Sequence, residues 1–420
     1  MVDRLQFLLG RLGERLWVKP LIMVVLSVAA AFLASAADHT ELGKIVPEIS
    51  VDSIETLLKV ISASMLVIAT FSVASMVSAF ASAGSTATPR TFPLVIADDV
   101  SQNALSTFIG AFIFGIVALI ALKNGLYDKA GLFVLFSLTL VVFAIVIVIF
   151  VKWVDNIARL GRLGTTIDKV EKAAKHALQR RQCAPNLGGV PVGQTREKGQ
   201  AIYSESIGYV HRIDVPALQT CAEKADARIT VSALPGTFAA PGRALAYVTP
   251  SPSRLSEDDT KKIAKAFLIG QDRTFDEDPR FGLIVLSEIA SRALSPAVND
   301  PGTAIDIIGT LVRLFALWGK PCEEGDISPP KYDRVEVPEI SLNDMFDDAF
   351  SAIARDGAGT VEVSMRLLKA LESLTFAGDV TMRAVAKHHA NLALGRAEAA
   401  LTFPQDVQNV RILASFAQVG

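Results

Sequence analysis

Cysteine is scarce and widely spaced in this sequence. The 420 residues contain three cysteines, Cys183, Cys221 and Cys322. An odd number at such wide separations forms neither a disulfide framework nor a zinc site of regular spacing. We therefore expect three reduced thiols in a cytoplasmic part of the protein.

A surplus of charge and a recognisable catalytic motif are missing as well. The 41 basic residues are balanced by 43 acidic ones, and the net charge of -2 leaves no bulk attraction to nucleic acid. The sequence contains no Walker loop, G-x-S-x-G elbow, H-E-x-x-H motif or Rossmann fingerprint. We expect no enzymatic activity, no cofactor, no bound metal and no nucleic-acid partner.

Long apolar segments are abundant. Hydrophobic residues make up 51% of the chain, and the mean hydropathy is +0.40, which is too apolar for a soluble protein of this length. Four uncharged segments are long enough for a hydrocarbon core of roughly 30 Å: residues 20–37, 60–82, 104–122 and 130–151. We predict a membrane protein with four transmembrane α-helices in residues 1–154, followed by a cytoplasmic α+β domain.

Basic residues near these segments predict their orientation, because they accumulate on the cytoplasmic side. Four precede the first segment: Arg4, Arg11, Arg15 and Lys19. Six follow the fourth segment: Lys152, Arg159, Arg162, Lys169, Lys172 and Lys175. Only Lys123 and Lys129 of the third loop oppose this pattern. We predict that both termini are cytoplasmic.

Serines recur along the second segment: Ser64, Ser72, Ser75, Ser78 and Ser82. At roughly 100° per residue they fall within about a third of the helix circumference. One interpretation is a pore lined by hydroxyls, and the other is close helix packing through small residues. Because no ionisable residue lies inside the four segments, we expect no proton relay and no ion-coupled transport.

The loop between the second and third segments carries Arg90, Asp98 and Asp99. These charges are interpreted either as a ring around the cytoplasmic mouth of a pore or as helix caps solvated at the membrane interface. The sequence leaves both interpretations open.

The remaining chain is predicted to be cytoplasmic. Residues 155–200 should form a juxtamembrane helix over 155–181 and a linker rich in Gly and Pro. Residues 201–250 contain short β-rich runs and are predicted to form a small β-rich subdomain, followed by a helical subdomain in 251–420. His388 and His389 diverge by about 100° on a helix, so they cannot share a metal unaided.

The stretch RTFDEDPRFGLIVLSEIASRALSPAVNDPGTA, residues 273–304, resembles the signature of the bacterial predicted membrane proteins grouped as domain of unknown function number 2254. The residues that match its motif are Arg292, Ser295, Pro296, Asn299, Asp300, Pro301 and Thr303. Ala297 and Gly302 depart from it, since a Gly and a bulky residue are expected there. The resemblance implies a bacterial inner-membrane protein and brings no established activity.

A turn inside this motif is a candidate ligand site. Its side chains are Arg292, Ser295, Asn299, Asp300 and Thr303. One hypothesis is that a small anion or nucleotide phosphate binds at the N-terminus of the following helix. The alternative is a capped turn between two helices that only fixes their packing angle.

Two functions from different classes remain after these exclusions. The leading hypothesis is a homo-oligomeric channel or passive pore in the lipid bilayer, gated by its cytoplasmic domain, because four helices alone rarely enclose a pathway. The alternative is a membrane-anchored scaffold or ligand sensor that acts through its cytoplasmic domain. The sequence identifies no soluble partner or ligand.

Overall fold

The computed structural model describes residues 17–96, 98–193, 199–249, 255–322 and 329–418. The chain divides into two compact units, Met1–Thr166 and Ile167–Gly420. Arg4, Arg11 and Arg15, which contribute to the predicted orientation, lie outside the described residues.

Long apolar helices dominate the first unit. Its described residues form α1 (Val18–Ala36), α2 (Val51–Thr86), α3 (Phe92–Ile96), α4 (Asp99–Lys123) and α5 (Lys129–Ile157). Lys19 at the start of α1 pairs with Asp99 at the start of α4, at 2.6 Å. Glu55 near the start of α2 pairs with Lys123 at the end of α4, also at 2.6 Å. The four long helices α1, α2, α4 and α5 therefore run alternately up and down.

Among the described residues, five helices are long and apolar enough to cross a membrane. Four are the long helices of the first unit, and the fifth is Pro301–Trp318 in the second unit. The fifth contains Asp306 and Arg313, and Arg313 pairs with Glu171 at 2.6 Å. The apolar helices identify the chain as a membrane protein. Five described helices are long and apolar enough to cross a membrane, whereas the sequence predicts four spans.

The α4 helix is the most buried of the long helices in the first unit. In its most apolar stretch of 18 residues, 50% of the residues are buried, compared with 17% in the corresponding stretch of α5. Close approach to α2 depends on Gly115, because a Cβ there would collide with the Ser62 hydroxyl. Most bulky side chains of α5 are not buried, as expected for a helix that faces lipid.

The predicted juxtamembrane helix is interrupted near its start. After α5 ends, the next helix, α6 (Leu163–Cys183), begins only beyond a short turn. Gly161 in this turn has a φ of 82°, and a Cβ there would lie 3.0 Å from the Ala79 carbonyl oxygen. A single helix over 155–181 is therefore wrong, because helical periodicity does not reveal a left-handed glycine.

The described strands of the second unit form two sheets. They are β1 (Gly189–Val190), β2 (Gln200–Tyr203), β3 (Gly208–Ile213), β4 (Arg228–Val231), β5 (Phe238–Ala239), β6 (Ala244–Thr249), β7 (Phe267–Gly270) and β8 (Tyr332–Glu336). The strand order is β1-β8-β4-β6-β2 in one sheet and β5-β3-β7 in the other. β8 pairs in parallel with β1 and β4, although it lies far outside the predicted β-rich segment 201–250. A local pattern does not encode such a long-range pairing.

Helices form the rest of the second unit. They are α7 (Val215–Lys224), α8 (Glu257–Lys265), α9 (Pro279–Ala293), α10 (Pro301–Trp318), α11 (Leu342–Asp356), α12 (Val361–Leu374), α13 (Val380–Ala400), α14 (Pro404–Leu413) and α15 (Ser415–Gln418). Phe315 of α10 packs on Phe346 and Phe350 of α11, with ring centroids 4.4 and 5.4 Å apart. These aromatic rings lie in the buried core of the helical part.

Cys183 and Cys322 form a disulfide. Their Cα atoms lie 5.7 Å apart, although 139 residues separate them along the chain. Cys221 is a free thiol. The prediction of three reduced thiols is wrong for the pair, because folding brings the end of α6 beside the segment after α10, and linear spacing does not reveal this proximity.

Candidate functional site

The five serines of the second apolar segment all lie on α2, in different surroundings. Ser72 is fully buried and its Oγ has no hydrogen-bond partner, whereas Ser75 is half-buried. Ser64, Ser78 and Ser82 are exposed on the surface of the single chain. The Ser82 hydroxyl donates to the Gly161 carbonyl at 3.3 Å. Most of the serine stripe therefore lies outside the helix packing of the first unit.

The buried side of α2 is a different one and mixes bulky with small residues. Its residues include Ile54, Leu58, Ile61, Met65, Ala69, Met76 and Ala83. At about 100° per residue, these positions centre roughly a third of a turn from the exposed hydroxyls. The packing interpretation therefore describes Ser72, and it does not account for Ser64, Ser78 and Ser82.

The three charges of the second loop have separate environments. Asp98 is 9% exposed, and its carboxylate accepts the Ser101 amide at 3.0 Å and Asn156 Nδ2 at 2.7 Å. It therefore caps α4 and joins it to α5. Asp99 is exposed and forms the ion pair with α1, while Arg90 is exposed on the short 3-10 turn Pro89–Thr91. The capping interpretation describes Asp98, and Arg90 and Asp99 remain at the surface.

An apolar groove of about 560 Å³ lies beside the C-terminal part of α2. Its lining residues are Val77, Phe80, Ala81, Gly84, Pro89 and Phe92. At about 100° per residue, those on α2 centre on the side opposite the exposed serines. Because the lining offers no charge or hydroxyl, this groove is unsuited to conduct an ion.

The signature turn of the second unit is a capped connection between α9 and α10. The Arg292 carbonyl accepts the Ser295 hydroxyl at 2.7 Å, and Asn299 has a φ of 51°. The Asp300 carboxylate accepts the Thr303 amide at 3.1 Å and the Thr303 hydroxyl at 2.5 Å. These hydrogen bonds from Thr303 hold the pKa of Asp300 below its usual value.

This geometry favours the capped turn over the anion site. A helix N-terminus attracts an anion through its free amides and its dipole. At α10 the Asp300 carboxylate already occupies that position, and it would repel a second negative charge. Arg292 is exposed at the last turn of α9.

Sequence reasoning missed a buried charge network at the start of α9. Asp278 is 3% exposed and pairs with Arg273 at 2.6 Å. Burial raises the pKa of Asp278, and the Arg273 guanidinium opposes this rise. Arg280 extends the network to Asp344 and Asp348 of α11, at 2.8 and 2.6 Å. The charged run DEDPR, residues 276–280 of the signature, indicated a cluster of charges. The sequence did not reveal the partners of Arg280, because Asp344 and Asp348 lie more than 60 residues further along the chain.

Arg181 brings α6 into the same region. It is 4% exposed, and its Nε and Nη1 atoms have no hydrogen-bond partner, while Nη2 donates to the Pro338 carbonyl at 3.4 Å. Burial lowers the pKa of Arg181 to about 10, although nearby Glu277 and Asp278 favour the charged form. The ion pairs of Arg280 therefore join α9 to α11, with the buried Arg181 of α6 nearby, and this arrangement suits a structural role.

The apolar helices of the first unit define the class, an integral membrane protein. The model of the predicted membrane protein family DUF2254 matches residues 13–373. The chain belongs to this family, which confirms the resemblance found at residues 273–304.

Two mycobacterial proteins that resemble part of the chain are named as uncharacterised. The chain is 32% identical over 104 residues to the uncharacterized protein Rv1290c of Mycobacterium tuberculosis and to the uncharacterized protein Mb1321c of Mycobacterium bovis. The match covers 24% of this chain and 20% of each relative, so it spans about a fifth of their length. No solved structure matches the chain.

Proposed function

We propose that this protein is a homo-oligomeric passive pore in the bacterial inner membrane, spanned by α1, α2, α4 and α5 and gated by its cytoplasmic domain. The observation that carries the proposal is the exposure of Ser64, Ser78 and Ser82 on the surface of one chain. In a monomer the hydroxyls of Ser64 and Ser78 would face lipid, which offers no partner, whereas Ser82 donates to the Gly161 carbonyl. In a ring of copies they would face water along a shared axis.

The distribution of charge supports an orientation with both termini in the cytoplasm. At the end of the first unit where α1 begins, five basic residues stand against three acidic ones: Lys19, Arg90, Lys152, Arg159 and Arg162 against Asp98, Asp99 and Asp155. Carboxylates predominate at the opposite end, where Lys123 pairs with Glu55 at 2.6 Å and Lys129 lies 3.9 Å from Glu48. The more basic end is the one expected in the cytoplasm.

The proposed transport is passive and assigns no catalytic step, cofactor or metal. The apolar segments 20–37, 60–82, 104–122 and 130–151 of these helices carry no ionisable side chain, so a coupled transporter would lack the groups that bind and release an ion within the membrane. Hydroxyls alone favour a hydrated path of low selectivity.

The alternative is a membrane-anchored scaffold or sensor. It is favoured by the charge network that joins α9 to α11 within the second unit, since such a network would hold that unit in one shape for a partner or ligand. In this case α2 faces lipid or packs against a neighbouring copy with no water between them, and no solute crosses the membrane.

One experiment separates the two. The protein carrying Cys221→Ser is reconstituted in phospholipid vesicles, and potassium efflux is measured before and after a charged methanethiosulfonate reagent. In the Ser78→Cys variant we expect efflux to fall by more than half. The matched control is Ser137→Cys, because Ser137 lies on α5 outside the stripe and donates to the Phe133 carbonyl at 2.9 Å.

The mass of the protein in nanodiscs is measured alongside. A ring of several copies, together with reagent-sensitive efflux only in Ser78→Cys, supports the pore. A monomer or dimer with no efflux above that of empty vesicles overturns it and leaves the scaffold or sensor.

A further inference from the structure

The Cys183–Cys322 disulfide lies at the end of the helix that follows the apolar unit along the chain. Cys183 is the last residue of α6, and Cys322 follows Trp318, the last residue of α10. Neither cysteine is buried, and both are partly exposed to solvent. A small thiol dissolved in water can therefore approach the bond.

Polar contacts hold the same segment in place. Gln182 Nε2 donates to the carbonyls of Leu317 and Trp318, at 3.4 and 3.1 Å, and so caps the C-terminus of α10. Asn186 Nδ2 donates to the Val337 carbonyl at 2.6 Å. The end of α6 is thus attached to α10 by hydrogen bonds and by one covalent bond, and only the covalent bond responds to a reductant.

We propose that Cys183 and Cys322 form a thiol–disulfide exchange site, which low-molecular-weight thiols open and low-molecular-weight disulfides close, and whose state sets how firmly the end of α6 is attached to α10. The proposal rests on the cytoplasmic orientation under the proposed function and not on the pore. Cytoplasmic thiols are normally kept reduced, and the disulfides that do form there are mostly transient or redox-sensing.

A dithiol reductant opens the Cys183–Cys322 bond in two steps. One reagent thiolate attacks one sulfur of the pair, which breaks the protein S–S bond and gives a mixed disulfide. The second reagent thiolate then displaces the protein sulfur and closes a cyclic disulfide. Two electrons pass to the protein, and two protons end on Cys183 and Cys322. Oxidised glutathione reverses the reaction and leaves as two reduced thiols.

The third cysteine provides an internal control. Cys221 lies on α7 and is half-buried. Burial raises the pKa of the Cys221 thiol, so a smaller fraction is present as the reactive thiolate. Exchange should therefore be confined to the pair.

The test uses the full-length protein in nanodiscs, treated with dithiothreitol or with oxidised glutathione and then alkylated under denaturing conditions. We expect three alkylated cysteines after dithiothreitol and one after oxidised glutathione. Amide hydrogen exchange in residues 180–186 and 317–322 should be about tenfold faster in the reduced protein. The double variant Cys183→Ser/Cys322→Ser should exchange at the fast rate in both conditions, and Cys221→Ser should respond like the unmodified chain.

Three alkylated cysteines in both conditions, or equal exchange rates in both, would overturn the proposal. A membrane-impermeant maleimide applied after reduction tests the orientation separately. Labelling only in inverted vesicles supports the cytoplasmic site. Labelling in intact spheroplasts would overturn both the orientation and the switch, since the pair would then be a permanent bond in an oxidising compartment.

Discussion

Burial gives the adjacent histidines His388 and His389 different properties. His388 is exposed, whereas His389 is 3% exposed and packs beside the Phe346 ring, with centroids 5.5 Å apart. His389 Nε2 has no hydrogen-bond partner and lies 3.9 Å from the Asp347 carboxylate. Burial lowers the pKa of His389, Asp347 opposes this effect, and His388 and Arg396 add to it. Among the described residues, no group of three potential metal ligands occurs.

We expect the second unit to lose stability as the pH falls through about 6.5, the ordinary histidine pKa. Because folding lowers the pKa of His389, the unfolded chain binds the proton more readily. The stability from neutral His389 is therefore complete above that pH and is lost below it. Urea unfolding of α11–α13 at about pH 7.5 and about pH 5.5 measures the loss. His389→Leu should remove most of the pH dependence, and His388→Leu should retain most of it.

Two glycines inside helices, Gly282 and Gly395, affect stability in opposite ways because their surroundings differ. Gly282 of α9 faces α6, and a Cβ there would lie 3.0 Å from the Ala174 Cα and closer still to its Cβ. Gly395 of α13 is exposed and has nothing within 4 Å of such a Cβ. The first glycine permits a close helix contact, whereas the second only weakens its own helix.

Alanine substitutions at these positions should therefore change stability in opposite directions. We expect Gly282→Ala to lower the free energy of unfolding by about 2 kcal/mol, because the added methyl group overpacks the contact with α6. We expect Gly395→Ala to raise it by about 0.5–1 kcal/mol, because alanine favours an exposed helix. Urea unfolding in detergent, monitored by circular dichroism, measures both. A stabilising Gly282→Ala would contradict the close α6–α9 packing.

The family match extends over both units of the molecule, from residue 13 to residue 373, so the apolar helices and the α+β unit belong to one family architecture. Basic residues predominate at the end of the first unit where α1 begins. That same end holds Asn156, which contacts Asp98, and the chain continues from there into α6.

The proposed orientation predicts the side on which reporters lie. A fluorescent protein fused to the C-terminus should fold and fluoresce, because it would remain in the cytoplasm. The same reporter inserted after Ile45, an exposed residue of the first loop, should be exported unfolded and stay dark, while an alkaline phosphatase at that site should be active. The reverse result at both positions would contradict the orientation.

The sequence predicted those features that depend on local composition. The apolar segments, the helix cap at Asp300 and the family signature at 273–304 required only neighbouring residues. Local composition did not predict the structure around three residues: Gly161, Ser78 and Cys322. The pattern around Gly161 remained helical, the exposure of Ser78 depends on which side of α2 contacts α4, and the partner of Cys322 lies 139 residues away.

The sequence by itself determined that long helices of this chain are dissolved in lipid, because roughly 20 consecutive apolar residues have no stable alternative. It also determined the balance of charge and the caps that begin several helices. Only the tertiary structure decided which serines are buried, that β8 joins a sheet begun more than a hundred residues earlier, and that Arg280 of α9 pairs with Asp344 and Asp348 of α11. Those outcomes depend on contacts between distant segments, whose free energy exists only once the chain has folded.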